Sequence, residues 1–245
     1  MEYTYSEWNG FRRADFRFED RDALMIFPHG EQNGKWMMKM EYFGAFPALE
    51  IELLSRGWCL AYVRNKNRWG TDEDSDLKAR FADFAAEEFG LENRFVPVGM
   101  SCGGFCAVNF AARHPDKVSV LYLDAPVMNI LSFPLGVGRD YGTPERMKVW
   151  QEVVDAYGLD IPSALTWREN PMDKLGILEE HRIPAALIYG DSDPVVPYHE
   201  NGIVLEKFYP ENGLPFFIRG KEGCAHHPHG LEDSTPLADF IEAHA

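Results

Sequence analysis

The sequence predicts an α/β protein: a mostly parallel sheet with helices packed on both faces. Three observations carry this. Short apolar runs alternate with longer segments of helical periodicity along most of the chain. The apolar runs are continuous, as in strands buried on both faces, where strands with one wet face alternate. At 245 residues, 45% hydrophobic and 26% charged, the chain can bury a sizeable core without disulfides.

Taken in order, Phe11 to Phe18 alternates apolar and polar residues and reads as an outlying antiparallel strand. Ala23 to Pro28 is a compact apolar strand. Pro47 to Ser55 is helical, with Gly57 as its stop. Trp58 to Val63 is the next strand. Ser75 to Phe89 places Leu77, Phe81, Phe84 and Ala85 on one helical stripe that Gly90 closes. Phe95 to Gly99 is a strand, Cys102 to Arg113 a helix halted before Pro115, and Val118 to Leu123 a strand. After Asp124 the rhythm breaks. Strands resume at Ala185 to Tyr189 and Pro215 to Ile218, and Leu237 to His244 closes the chain as a helix. The whole of 1–245 is expected to form one domain. Within it, 126–182 is an insertion with turn signals at Pro134, Gly136, Gly138 and Gly142, a helix near Pro144 to Tyr157 and a shorter helical piece before Pro184. On such a sheet it would sit above the strand ends, where ligands bind.

Charge narrows the partners. Lys plus Arg number 24 against 39 Asp plus Glu, a net charge of −15. That field repels phosphate backbones and anionic bilayers, so neither a nucleic-acid nor a membrane partner is expected. No run of about 20 apolar residues is present to span a bilayer. The first residues, Met1 to Arg13, show no apolar core of a signal peptide, and the expected location is cytoplasmic. The four cysteines, Cys59, Cys102, Cys106 and Cys224, have neither zinc-ribbon nor redox spacing and read as reduced thiols.

The chemistry centres on Gly99-Met100-Ser101-Cys102-Gly103, which fits G-x-S-x-G. A strand leads in and a helix leads out, the context this motif requires. The helix N-terminus places free N–H groups and partial positive charge beside Ser101. A serine hydroxyl needs a base to become a nucleophile. After the strand ending at Tyr189 come Asp191 and Asp193; after the strand ending at Ile218 come His226, His227 and His229. Both loops leave the same sheet edge as Ser101. The chain order Ser, Asp, His is one of several that build the same catalytic triad. The three close histidines could instead share a metal. No H-E-x-x-H or second carboxylate–histidine cluster accompanies them, so no metal is expected. The phosphate-binding glycine motifs are absent as well, and no cofactor is expected.

With these residues in place, the chain resembles the α/β-hydrolase fold family over nearly its whole length. Ser101 matches the nucleophile turn. Gly190, Asp193 and Pro197 match the acid turn, and Gly223 to His226 the histidine loop. Pro28-His29-Gly30 resembles the family's oxyanion turn. The resemblance implies an α/β-hydrolase fold, with a mostly parallel central sheet, helices on both faces and 126–182 as a small helical lid. It implies a catalytic triad of Ser101, His226 and Asp193, with His227 the rival base. It implies an oxyanion hole from the N–H of Cys102 with that of Glu31 or Gly30. The expected activity is that of a serine esterase on a small-molecule ester, with an amide or peptide substrate, or a non-catalytic binding module, as alternatives. His29 reads as a turn organiser and not as a base. His29, Trp36, Trp69 and His227 are expected to contact substrate. Tyr42, Phe43, Phe46, Phe133, Tyr141, Trp150 and Trp167 are further aromatic candidates for a pocket wall.

Overall fold

The computed structural model describes residues 1–245. Nine strands form one sheet: β1 (Thr4–Trp8), β2 (Phe11–Phe18), β3 (Arg21–Phe27), β4 (Trp36–Lys39), β5 (Cys59–Val63), β6 (Val96–Met100), β7 (Leu121–Asp124), β8 (Ala185–Gly190) and β9 (Phe216–Lys221). Their spatial order is β1-β2-β3-β5-β4-β6-β7-β8-β9. From β5 to β9 every neighbour is parallel. The first three strands are antiparallel additions at one edge, and β3 joins β5 antiparallel. The outlying antiparallel strand expected at Phe11 to Phe18 is β2.

The helices are α1 (Ala48–Ser55), α2 (Asp72–Phe89), α3 (Cys102–Arg113), α4 (Pro144–Tyr157), α5 (Ile161–Ala164), α6 (Leu175–Glu180), α7 (Ile203–Glu211) and α8 (Thr235–His244). The sheet's period of two divides its side chains between two cores. Met37, Leu60, Val98 and Tyr122 point to one face, where α1 and α8 cover them with Leu49, Leu53, Leu237 and Ile241. Trp36, Met38, Cys59 and Ala61 point to the other, against Leu77 and Phe81 of α2, Val108 and Phe110 of α3 and Tyr209 of α7. A third cluster, with Trp69, Phe105, Val127, Leu135, Trp150 and Val153, ties 126–182 to the end of the sheet.

Four elements were not expected from the sequence: β1, β4, the short α5 and α7. The most consequential is β4. It is four residues long, Trp-Met-Met-Lys, without a β-branched residue, yet all four are buried. Lys39 is buried with its Nζ donating to Glu50 of α1 and, at 3.0 Å, to the carbonyl of Ala45. An ion pair links the end of β4 to α1.

Candidate active site

Ser101 sits between β6 and α3 at φ 53°, a left-handed conformation that a side chain rarely adopts. Three backbone hydrogen bonds hold it there: its N–H donates to Asp124 at 3.0 Å, and its carbonyl accepts from Gly104 at 2.9 Å and Val127 at 3.0 Å. The glycines around it are required by contact. A Cβ on Gly99 would lie 2.7 Å from Ala107 Cβ and from the Gly103 carbonyl, and one on Gly104 would overlap Pro126. With small residues there, α3 comes close to the sheet and presents its first N–H groups beside the serine hydroxyl.

The loops after β8 and β9 bring up the rest. Gly190 ends β8 where a Cβ would strike the carbonyls of Cys224 and Ala225, so the two loops touch. Asp193 Oδ2 lies 2.7 Å from His226 Nδ1, and His226 Nε2 lies 3.0 Å from Ser101 Oγ. The other oxygen of Asp193 accepts from the N–H of Val195 at 2.8 Å and of Val196 at 3.0 Å. Burial works to raise the Asp193 pKa. The hydrogen bonds from His226, Val196 and Val195 outweigh it and hold the carboxyl below its ordinary value. Asp193 is therefore an acceptor only, so His226 Nδ1 carries the hydrogen and its Nε2 lone pair receives the Ser101 O–H. Asp191 lies on the loop's exposed side and accepts from the Gly223 N–H at 2.8 Å.

A second buried pair stands beside the first. His229 Nδ1 is 2.7 Å from Asp124 at the end of β7, and its ring lies edge-on to that of His226. His227 between them is exposed, stacks on Phe46 and makes no hydrogen bond through its ring. Burial and the neighbouring histidines push its pKa below the ordinary value.

A cavity of about 370 Å³ opens over Ser101. Its wall includes Tyr42, Phe46, Arg68, Cys102, Phe133 and Val195, and all three clustered histidines. Tyr42, Phe46 and Phe133 were among the aromatic candidates. No carboxylate lines it.

Other expected site residues lie elsewhere. Because β3 runs antiparallel to β5, the turn His29-Gly30-Glu31 at its end emerges at the sheet edge opposite Ser101. His29 stacks on Phe11, beside a hollow lined by Arg12, Gly30 and Phe89. Gly30 and Glu31 therefore cannot share an oxyanion with Cys102, and His29 does not reach the cavity. Trp36 opens β4 at that same far edge, fully buried, its Nε1 donating to the Glu92 carbonyl at 2.8 Å. Trp69 is also fully buried and packs behind Phe133, one layer back from the cavity. Tyr141, Trp150 and Trp167 are not on its wall.

The turn that does face Ser101 follows β4. An added Cβ on Gly103 would lie 3.4 Å from both N and Cβ of Glu41. The N–H groups of Glu41, Tyr42 and Cys102 have no acceptor within the protein. Tyr42 holds this turn at φ 58°. Asn65 fixes it from behind: its Nδ2 donates to the Met40 carbonyl at 2.7 Å and to Glu41 Oε2 at 2.6 Å, and its Oδ1 accepts from buried Lys78.

Several solved structures share this architecture. Dipeptidyl peptidase 4 of Porphyromonas gingivalis superposes with a TM-score of 0.65 at 16% identity, over 100% of this chain and 35% of that one. The metagenomic enzyme MGS-MChE2 from lagoon sediments of Mar Chica, Morocco, described as an α/β hydrolase, gives 0.57 at 15% identity, over 94% and 98%. The chain has the α/β-hydrolase fold. An S-formylglutathione hydrolase from Agrobacterium tumefaciens carries the same fold, with 0.60 at 14% identity over 100% and 97%. The chain thus spans about a third of the peptidase and nearly the whole of the other two. No protein-family model matches the sequence, and no curated protein does. In this α/β-hydrolase fold, the serine, histidine and aspartate stand at the carboxyl edge of the parallel strands, where ligands bind in open α/β sheets. No helix is long and apolar enough to cross a membrane.

Proposed function

We propose that the chain is a serine hydrolase that cleaves a small ester through an acyl-enzyme. The observation that carries this is the continuous hydrogen-bond line Ser101–His226–Asp193, 3.0 Å and then 2.7 Å, on a strained strand-to-helix turn. His226 Nε2 takes the proton as Ser101 Oγ attacks the carbonyl carbon. Asp193 holds the ring in the required tautomer and stabilises the imidazolium. The oxyanion is received by the N–H of Cys102 and by that of Glu41 or Tyr42, which replaces the turn at Gly30 and Glu31. His226 then protonates the leaving alkoxide, and water repeats the sequence to release the acid. Residues 126–182 act as a lid that contributes Phe133 to the cavity.

An ester is favoured over a peptide with a free amino end, because recognising a substrate ammonium needs an acidic group. The cavity wall offers Arg68 and three histidines instead. The deciding experiment is covalent labelling with a fluorophosphonate, followed by peptide mapping. One adduct on Ser101, with labelling blocked by a short-chain ester, is the expected result; a protein left unlabelled by the reagent rules the mechanism out.

The turn behind the oxyanion gives a finer test. Asn65→Ala frees the Met40–Glu41 backbone and leaves Lys78 without its acceptor. Displacement of one oxyanion donor should lower kcat about 10- to 100-fold with KM little changed. Affinity for a boronic-acid transition-state analogue should fall in parallel. A variant that loses only melting temperature, with kcat intact, would show that Asn65 braces the fold alone.

A further inference from the structure

We propose that His226, His227 and His229 form a binding site for a divalent transition-metal ion of the zinc class, and that the bound ion switches the serine site off. One ring nitrogen from each residue lies within 4.8 Å of the other two. Two of the three rings are tethered in the same way. Nδ1 of His226 faces Asp193 and Nδ1 of His229 faces Asp124, each at 2.7 Å. A carboxylate can only accept, so each Nδ1 carries a hydrogen, and in the neutral ring each Nε2 carries the lone pair. Metal-binding histidines are held this way, with the second nitrogen donated to a carboxylate that fixes tautomer and orientation.

The hydrolytic mechanism has no use for the second of these pairs. Asp124 is almost wholly buried and is further fixed by the Gly230 N–H at 2.5 Å and the Tyr122 hydroxyl at 3.2 Å. His229 makes no hydrogen bond to Ser101 or Asp193, and its Nε2 has no hydrogen-bond partner within the protein. A neutral imidazole presented by a buried carboxylate into a cavity is a ligand for zinc, copper or nickel ions rather than for magnesium or calcium. The chain's net charge of −15 raises the local cation concentration. A tetrahedral zinc ion with nitrogen ligands at about 2.0–2.1 Å separates its donors by roughly 3.4 Å. The rings must therefore close inward by somewhat over an ångström. His227, exposed and unbonded, has the freedom to do so.

The consequence for catalysis follows from a single electron pair. The His226 lone pair that accepts the Ser101 O–H is the one the metal takes. Ion and serine therefore compete, and with the ion bound Ser101 keeps its proton. The effect on turnover rests on the serine-hydrolase reading; the binding itself does not.

The test uses the purified chain with Zn²⁺ alone, by calorimetry, and Co²⁺, by its visible absorption spectrum. One ion per chain is expected. His227→Ala and His229→Ala should each weaken binding at least about tenfold, and Asp124→Asn by about 10- to 100-fold. Ser101→Ala should bind as tightly as the unaltered chain or tighter. In the active protein, Zn²⁺ should slow fluorophosphonate labelling of Ser101 in proportion to occupancy, and EDTA should restore it. Affinity unchanged by all three ligand-side variants would place the ion on the acidic surface and overturn the site. His227→Ala, at an exposed position, decides this even if His229→Ala fails to fold. A labelling rate unchanged at full zinc occupancy would overturn the switch. A serine inert without any metal would count against the hydrolase reading, and calorimetry would still decide the binding site.

Discussion

Ser101→Ala should leave a fully folded protein whose kcat on any ester substrate is lower by a factor on the order of 10⁶. The two halves of that expectation have separate origins. Folding is preserved because Ser101 is held through its backbone, by bonds to Asp124, Gly104 and Val127 that alanine keeps. Alanine also meets the same strain at φ 53° that serine does. The Oγ makes one hydrogen bond, to His226. Turnover collapses because no other hydroxyl or thiol replaces that Oγ beside the base. Cys102, the neighbour, has its thiol pushed up to about 11 by burial, so it supplies no thiolate near neutral pH. The measurement pairs steady-state turnover of a chromogenic acyl ester with thermal melting. A melting temperature within a degree or two of the original, together with activity within tenfold of it, would remove Ser101 from the chemistry.

The parts of this site that are legible in the sequence share one property: each follows a strand that opens with an apolar run. Ser101, Asp193 and His226 leave β6, β8 and β9, and the alternation of those runs with helices implies a common sheet edge. The oxyanion turn was misplaced for a related reason. Ala23 to Pro28 is apolar enough to read as a parallel strand, but direction is not written in such a run. In the structure β3 is antiparallel, which sends His29, Gly30 and Glu31 to the wrong edge. The strand that takes its place, β4, is four residues rich in methionine and carries a lysine, a pattern without a strand signature. Its burial is decided by long-range partners, β5 and β6 on either side and Glu50 beneath Lys39. The same holds for Trp36 and Trp69. Trp36 follows the expected oxyanion turn and Trp69 a strand end, places that suit a ligand wall, whereas packing against Phe95 and Phe105 puts them in the core. The pairing of His229 with Asp124 spans 105 residues and likewise had no local signal. The one local signal for the turn after β4 is Gly44, which follows Glu41, Tyr42 and Phe43 directly.

The second large effect concerns the acid. Asp193→Asn should reduce kcat about 10⁴-fold with little loss of stability, and this structure gives a specific reason. Asp193 Oδ1 is fixed by the N–H groups of Val195 and Val196, at 2.8 and 3.0 Å. Asparagine can satisfy those two donors only with its own oxygen. Its amide nitrogen must then face His226 Nδ1, where it donates. Nδ1 becomes the lone-pair nitrogen, and the hydrogen moves to Nε2, which points at Ser101. The imidazole now offers the serine a donor where the proposed reaction needs an acceptor, and the resting protein is locked in the unproductive tautomer. Asp193→Ala removes the acid without imposing that tautomer. It should therefore retain more activity than the asparagine variant, despite losing the bonds to Val195 and Val196 and melting at a lower temperature. Comparing kcat and melting temperature for the two variants separates tautomer control from simple bracing. Equal activities, or an asparagine variant more active than the alanine one, would show that Asp193 does not act by setting the state of the His226 ring.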